Sequence, residues 1–125
     1  MADDVANGAI SGGAAEQALA LLVELSPDLR GAAILAAGGS VLAASGDSDH
    51  WGDDTAALFA IADAAGEEPV EQIHIGTQQG EVFGVRHEGL TAVAVTDRFA
   101  LASLMLFDMR SLLRDLAKEG GPAPR

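Results

Sequence analysis

The chain has 125 residues, which is the length of a single ordinary domain. Nineteen acidic residues against seven lysines and arginines give a formal net charge of −12. Such a charge disfavours binding to nucleic acid or to an anionic membrane surface, because both require clustered positive charge. A hydrophobic content of 49% excludes intrinsic disorder, and the absence of cysteine excludes disulfides and cysteine-ligated metals.

The two ends of the chain differ in composition from its middle. Residues 1–13 are small and acidic, and the tail 119–125 is rich in glycine and proline. We therefore predict one domain over residues 14–118, with a flexible extension on either side. No apolar run reaches the roughly 18 residues of a membrane-spanning helix, and the acidic start is unlike a secretory signal. These features predict a cytoplasmic protein.

In the first half of the chain, the residue pattern predicts one helix and one hairpin. The helix covers Ala14–Leu25, because apolar residues recur there at three- and four-residue spacing. Its apolar stripe consists of Ala15, Ala18, Leu19, Leu22 and Leu25. Two short apolar strands follow, Ala32–Ala37 and Val41–Ser45. The two glycines between these strands can adopt the positive φ angles of a tight hairpin turn.

A second helix is predicted over Thr55–Ala65, and its apolar residues fall on two sides. The side predicted to face the sheet carries Leu58, Ile61, Ala62 and Ala65. Phe59 lies on a different side with Ala56 and Ala60, roughly 80° or more away by helical geometry. Phe59 is therefore predicted to remain available for an interface.

Three further strands and a long helix complete the pattern. The strands are Val70–Gly76, Glu81–Arg86 and Leu90–Thr96, and the turns between them are so short that only antiparallel pairing is possible. The final helix covers Phe99–Ala117. Its predicted buried stripe comprises Leu101, Leu104, Met105, Met109, Leu112 and Leu116. The predicted fold class is α+β, a three-layer α/β/α arrangement around a five-stranded antiparallel sheet with the element order α-β-β-α-β-β-β-α.

A search for catalytic residues finds no enzyme-like pattern, so we expect a non-enzymatic protein without a cofactor or bound metal. No glycine-rich phosphate loop carries a lysine, and the serines lack the context of a nucleophile elbow. His50, His74 and His87 stand on three separate segments, so only folding could bring them together. The acidic segment that starts at Asp47 lacks the closing glutamate of a calcium loop, since its twelfth position is Leu58.

Aromatic residues outside the predicted core are candidates for contact with a partner. Trp51 is a single large aromatic residue among glycine and aspartate, and it could either close the core or anchor a partner. Phe107 lies on the outer side of the last helix with Arg110 and Arg114. Packing of Phe107 beneath the first helix is an equally open alternative.

Residues 47–68, the acidic stretch, hold seven acidic residues and neither lysine nor arginine. Such a field speeds encounter with a basic surface, and salt weakens it. Asp53 and Asp54 are therefore candidates for docking a partner. Helix capping and solubility are the alternative roles for these carboxylates.

The element order and several short motifs resemble the roadblock family, the roadblock and dynein-light-chain-like regulators of Ras-like GTPases. The resemblance extends over roughly Glu16–Leu116. It depends on Arg30–Leu35 leading into Gly39–Gly46, on the run Gly80–Val85, and on Leu90–Val95 followed directly by an amphipathic helix. The chain looks like a single-domain, alanine-rich bacterial member of the kind found in actinobacteria.

The resemblance implies a profilin-like roadblock architecture without an active site of its own. It also implies a homodimer, formed by pairing of the third strands and of the second helices, that binds a small Ras-like GTPase or a signalling assembly containing one. The predicted dimer interface residues of this chain are Ala56, Phe59, Ala60, Asp63, Glu71, Ile73 and Ile75.

The residues of the third strand favour self-association on their own account. After Pro69, the run Val70–Gly76 holds neither proline nor lysine, which are the residues that commonly protect an exposed sheet edge. If this strand lies at an edge of the sheet, Ile73 and Ile75 favour pairing with a second copy.

The alternative function is a small-molecule-sensing module of profilin-like or PAS-like type. Such a module needs a pocket between sheet and helix with convergent polar groups, whereas these strands supply mostly apolar residues. An enclosed cavity of several hundred Å³ would favour this alternative.

Overall fold

The computed structural model describes residues 12–45, 51–66, 68–98 and 100–120. These residues form three helices and five strands in the predicted order, so the predicted α+β class is confirmed. The elements are α1 (Gly12–Leu25), β1 (Leu29–Leu35), β2 (Val41–Ser45), α2 (Trp51–Ala64), β3 (Gln72–Gly76), β4 (Glu81–His87), β5 (Leu90–Thr96) and α3 (Ala102–Gly120). The bounds differ most at α2, which begins four residues earlier than predicted. Strand β1 begins three residues earlier, and α3 begins and ends three residues later, so that it extends into the predicted tail.

The five strands form one antiparallel sheet in the order β2-β1-β5-β4-β3, so β2 and β3 are its two edges. The third strand therefore lies at an edge of the sheet, which is the condition for pairing with a second copy. Gly38 and Gly39 turn β1 into β2 with φ angles of 89° and 96°, as the hairpin prediction requires. Gly89, with φ of 84°, does the same between β4 and β5.

Helices α1 and α3 cover one face of the sheet and enclose the main core with it. Phe83 of β4 is completely buried beneath them. The hydroxyl of Ser26, at the end of α1, donates a hydrogen bond to Met105 Sδ at 3.3 Å and so joins the two helices. The helix residues buried in this layer include Ala15, Leu19, Leu22, Met105, Met109, Leu112, Leu113 and Leu116. Within the described ranges, no helix combines the length and the apolar sequence that crossing a bilayer would demand.

Three leucines predicted to be buried in this layer are exposed instead. Leu25, Leu101 and Leu104 are 49%, 65% and 49% exposed. Helix α3 begins at Ala102, later than the apolar periodicity indicates, so Leu101 lies outside the helix. Leu104 lies on the flank of α3 that is turned away from the sheet, and Leu113 on the opposite flank is buried in its place.

Helix α2 lies on the opposite face of the sheet. The prediction of which side of α2 faces the sheet is wrong. Ile61 is 72% exposed, whereas Thr55 and Phe59 are only 5% and 4% exposed. Thr55 and Phe59 are one helical turn apart, so they define the buried side of α2. Beside them the sheet presents a small second core cluster around Ala33 and Val93.

Phe59 faces the sheet because β4 has no side chain at the position beneath its ring. A Cβ added at Gly84 would lie 3.0 Å from Phe59 Cζ and 3.8 Å from Ile73 Cβ. Side chains of adjacent strand residues alternate between faces, so the missing side chain at this position opens the α2 side while Phe83 fills the other. The sheet thus fixes the rotation of α2 through a glycine.

We predict that Gly84→Ala lowers the free energy of unfolding by about 1–3 kcal/mol, because the added methyl group overpacks against the ring of Phe59. Urea denaturation of the variant and the wild type measures the change. Gly66→Ala is the matched control, since a Cβ there meets no described atom within 4 Å. The control should be neutral or slightly stabilising, and equal stability of both variants would contradict the packing of Phe59 on Gly84.

Candidate interaction site

The outer edge of β3 has no neighbouring strand within the part of the chain that the structure describes. The amide of Arg86 donates to the carbonyl of Glu71 at 2.8 Å, and the amide of Thr77 donates to the carbonyl of Gly80 at 2.8 Å. In an antiparallel strand, alternate residues direct both backbone groups to the same neighbour, so the odd-numbered residues of β3 bond to β4. The outward backbone groups belong to Gln72, His74 and Gly76.

The two isoleucines of β3 both face α2, but they differ in burial. Ile73 is only 9% exposed beneath Phe59, whereas Ile75 is 39% exposed. The predicted pairing residues therefore have separate roles. Ile73 holds the strand in its own protomer, and Ile75 presents apolar surface beside the open edge.

On the other face of the sheet, polar and aromatic contacts hold β3 in place. The ring of His74 stacks on Phe83 with 4.6 Å between ring centroids. His74 Nε2 lies 2.5 Å from Glu81 Oε1. Gln72 Oε1 accepts a hydrogen bond from Arg110 of α3. The edge strand is thus supported from both faces while its outward backbone groups stay without a strand partner among the described residues.

Arg86 of β4 connects α2 to the segment that enters β3. Its Nη2 donates to Asp63 Oδ1 at 2.7 Å, and its Nη1 donates to Asp63 Oδ2 at 3.2 Å. Its Nε donates to the carbonyl oxygen of Val70 at 2.8 Å, and Nη2 donates to the same oxygen. The guanidinium carbon lies 4.2 Å from the ring centroid of Phe59. We call this group of four residues the Arg86 clasp.

Asp63, a predicted interface residue, has its carboxylate engaged within the protomer. Besides the two bonds from Arg86, Asp63 Oδ1 accepts a hydrogen bond from the amide of Val70 at 2.8 Å. The Arg86 hydrogen bonds, followed by the Val70 amide, hold the pKa of the Asp63 carboxyl below its ordinary value of 3.8. The negative charge of Asp63 is therefore compensated by Arg86 and does not add to the charge with which the acidic stretch could attract a partner.

The remaining predicted interface residues of α2 lie on both sides of the helix. Ala56 and Ala60 are exposed. Phe59 is buried within the protomer, so the prediction that it remains available for an interface is wrong. Exposed Ile61 takes its place as the large apolar side chain on the outer surface of α2. Glu71, next to the first residue of β3, is also exposed.

The candidate partner-binding residues fall on opposite faces of the protein. The side chains of Trp51 and Asp53 lie outside the described residues, and Asp54 is exposed on α2. Phe107 is 64% exposed and does not pack beneath α1. Exposed Arg110 and Arg114 lie near Phe107 on the outer side of α3.

The described histidines take part in pairs with glutamates. His74 pairs with Glu81, and His87 Nε2 lies 3.5 Å from Glu88 Oε2. His50 lies outside the described residues. Among residues that the structure does describe, no three potential metal-ligating side chains come together.

A groove of about 870 Å³ runs between α2 and the turns that follow β1 and β4. Thr55, Phe59 and Arg86 are among its lining residues. The buried Thr55 hydroxyl has no hydrogen-bond partner among the described residues. The groove is open along the surface, which differs from the enclosed cavity that the sensing alternative requires.

No protein-family model matches the chain, and no curated protein matches it. Solved structures do match. A Roadblock/LC7 domain from Streptomyces avermitilis superposes with a TM-score of 0.66 at 21% sequence identity, covering 79% of this chain and 91% of that chain. The chain has a roadblock/LC7 fold.

Other structures share this roadblock/LC7 architecture. The gliding protein MglB from Thermus thermophilus matches with a TM-score of 0.62 at 17% identity, over 83% of this chain and 86% of that one. A chain of a LokiProfilin2/rabbit actin complex matches with a TM-score of 0.58 at 12% identity, over 82% and 94%. These likenesses confirm the predicted profilin-like roadblock architecture, which occurs in proteins named for different functions.

Arg86 is the residue of this site that the sequence analysis missed. The available signal was its position, because it is the first base after Arg30 in a strongly acidic part of the chain. Arg86 directly follows the apolar run Val82–Val85, and a half-buried base in such a position must find charge compensation. The partner, Asp63, could not be chosen from seven acids in the acidic stretch without the fold.

We predict that the stability difference between the wild type and Asp63→Asn depends on pH. The lowered pKa means that the folded protein binds this proton less tightly than the unfolded chain, so the carboxylate stabilises the fold above the ordinary value of 3.8. This contribution is lost as the pH falls through the lowered folded-state pKa. Urea denaturation at several pH values should show the difference shrinking on acidification. In an Arg86→Met background, Asp63→Asn should have a smaller effect, and an equal effect in both backgrounds would contradict the clasp.

Proposed function

We propose that this protein is a non-enzymatic homodimeric scaffold or regulator that binds a small Ras-like GTPase, or a signalling assembly that contains one. The observation that carries the proposal is the open backbone edge of β3 in a chain with a roadblock/LC7 fold. The GTPase comes into the proposal through the resemblance of the sequence motifs to roadblock regulators. The proposal includes a cytoplasmic location.

In the proposed dimer, β3 pairs with β3 of a second copy to give a ten-stranded sheet. Full overlap of the five-residue strands pairs residue 72 of one copy with residue 76 of the other and brings the two copies of His74 opposite each other. The amides and carbonyls that point away from β4 would then be satisfied, which is the usual way to protect such an edge. Ile75, exposed by 39%, adds apolar area beside the new pairing.

The second helices would add to the same contact. A twofold axis perpendicular to the sheet keeps both copies of α2 on one face, and the small side chains of Ala56 and Ala60 allow close approach of the two helices. Phe59 and Asp63 act in this interface indirectly, because they fix the rotation and the end of α2 from beneath. Exposed Ile61 is a further contact residue on this helix.

The same symmetry concentrates negative charge on the α2 face. Each copy brings exposed Asp54 and Glu68, two described residues of the acidic stretch, to this face. We propose this face as the docking surface for a basic region of the partner. Asp63 is not part of the attracting charge, because Arg86 compensates it.

The first prediction for this function is that His74→Pro shifts the protein to a monomer. Proline removes the outward amide at the middle of β3, whereas the bonds of β3 to β4 use its odd-numbered residues. His74→Ala is the matched control, because it removes the same side chain but keeps the amide, and it should remain a dimer. Sedimentation velocity at one protein concentration measures both. A wild type that sediments as a monomer, or a dimeric His74→Pro, would contradict pairing through β3.

The second prediction concerns the partner. Each small GTPase of the source genome, loaded with GDP or with a GTP analogue, is tested by biolayer interferometry against the wild type and against Asp53→Lys with Asp54→Lys. The association rate should fall about tenfold or more in the variant and should also fall with salt, while the dimer persists. Glu16→Lys with Asp115→Lys changes the net charge equally on the other face and should leave the rate nearly unchanged. Equal association rates for the wild type and both double variants would contradict docking of the partner on the α2 face.

A further inference from the structure

The outer side of α3 carries one aromatic residue and three bases in a single row. Phe107, Arg110, Arg114 and Lys118 are spaced by three, four and four residues, so they lie one above another along the helix. Phe107 is 64% exposed, and the three bases are exposed as well. We call these four residues the basic row. It is about 16 Å long at the rise of an α-helix.

The basic row is free of acidic residues. Arg110 donates to Gln72 of the edge strand β3, so its flank of α3 faces away from α1, which packs over β1 and β2. Asp108 and Asp115 lie on the opposite flank of α3, toward α1. Glu81 of β4 shares this face of the sheet, but its side chain is only 12% exposed. The exposed charge on the β3 side of α3 is therefore positive.

The charge of the basic row has no compensation inside the protomer. Within the described ranges, none of its three bases forms an ion pair. Arg110 and Arg114 donate to neutral oxygens instead, the amide oxygen of Gln72 and, at 3.3 Å, the hydroxyl of Ser111. Both guanidinium groups thus keep their full charge at the surface.

The helix itself does not account for these bases. Like charges four residues apart repel each other, and the row holds two such pairs, Arg110 with Arg114 and Arg114 with Lys118. The dipole of a helix favours bases within its last turn, which holds only Lys118. In a chain with nineteen acids and seven bases, the row therefore points to an acidic group outside the protomer.

We propose that the basic row is the docking site for a short acidic segment of a second partner protein, distinct from the GTPase. Carboxylates of the segment bind Arg110, Arg114 and Lys118, and an apolar side chain of the segment covers Phe107. A guanidinium can hold a carboxylate through two parallel hydrogen bonds. Arginine and aromatic residues are also enriched in protein interfaces.

The size of the basic row favours a short protein segment over other anions. A nucleic acid or an anionic membrane presents negative charge over a wider area than this row. Docking of either would bring more negative charge against Asp115 of α3 and against Glu16 and Glu24 of α1, which are exposed on the same layer. A short segment avoids these acids.

This contact is independent of the proposed GTPase docking and of pairing through β3. The basic row lies on the face of the sheet opposite to α2, so both partners can be held at once. One copy of α3 carries the whole row, so the site is complete in a single protomer.

The test uses a fluorescein-labelled peptide of glutamates around a central phenylalanine and leucine, measured by fluorescence anisotropy at physiological salt. The rest of the chain, with its net charge of −12, repels this peptide, so binding reports a basic site. Arg114→Gln with Lys118→Gln should weaken binding about tenfold or more. Gln17→Glu with Ser40→Glu is the matched control, because it changes the net charge equally at exposed residues away from the row. The control should bind nearly as the wild type does.

A second arm tests the aromatic residue. Phe107→Ser should weaken binding about threefold or more, whereas Leu104→Ser, at a residue 49% exposed on the opposite flank of α3, should not. The same peptide with glutamine in place of glutamate should not bind. In the His74→Pro background the peptide should still bind, so failure of the proposed dimer is distinguishable from failure of this site.

Other outcomes would overturn the proposal. A wild type that does not bind the peptide, or equal binding by the wild type and Arg114→Gln with Lys118→Gln, would contradict docking on the basic row. Phosphatidylserine vesicles and single-stranded DNA are tested in parallel. Binding of either one that this double variant abolishes would assign the row to a membrane or to nucleic acid. Self-association that the double variant abolishes would assign it to a second copy of this chain.

Discussion

The contacts of Arg86 are the constraint on which the proposed interface of β3 and α2 depends. Its guanidinium group donates two hydrogen bonds to the carboxylate of Asp63 at the end of α2 and one to the carbonyl of Val70 ahead of β3. The same group lies over the ring of Phe59. The side chains of Arg86 and Asp63 remain 29% and 36% exposed, so solvent screens their attraction. The stabilising effect therefore comes from the number and geometry of the contacts, which a lysine could not reproduce.

Phe59 shows how this constraint reaches the proposed interface. Its ring lies between the open position above Gly84 and the guanidinium of Arg86, so α2 cannot rotate without losing both contacts. That rotation leaves Ala56 and Ala60 on the outside. The aromatic residue that the sequence suggested as an interface contact instead orients the helix that presents the interface.

The element order and the class of the fold could be predicted from the sequence, because they depend on periodicity and on glycines in turns. Gly38 and Gly39 adopt the expected positive φ angles, and β3 is an edge strand. The buried side of α2 could not be predicted, since both of its sides carry apolar residues and Gly84 decides between them from a distant strand. The exposure of Leu104 has a similar cause, because the rotation of α3 follows from the sheet beneath it. The Arg86 clasp was not predicted because its ion pair spans 23 positions of the chain.

A carboxyl group with a shifted pKa often marks a catalytic centre. The lowered pKa of Asp63, however, has a structural cause in the hydrogen bonds of the Arg86 clasp. The polar groups around Arg86 bond to one another, which leaves little in that cluster to act on a substrate. What lacks a strand partner among the described residues is the outer edge of β3. A strand edge is satisfied by another strand, so the feature that the clasp leaves open is suited to pairing with a protein chain and not to chemistry on a substrate.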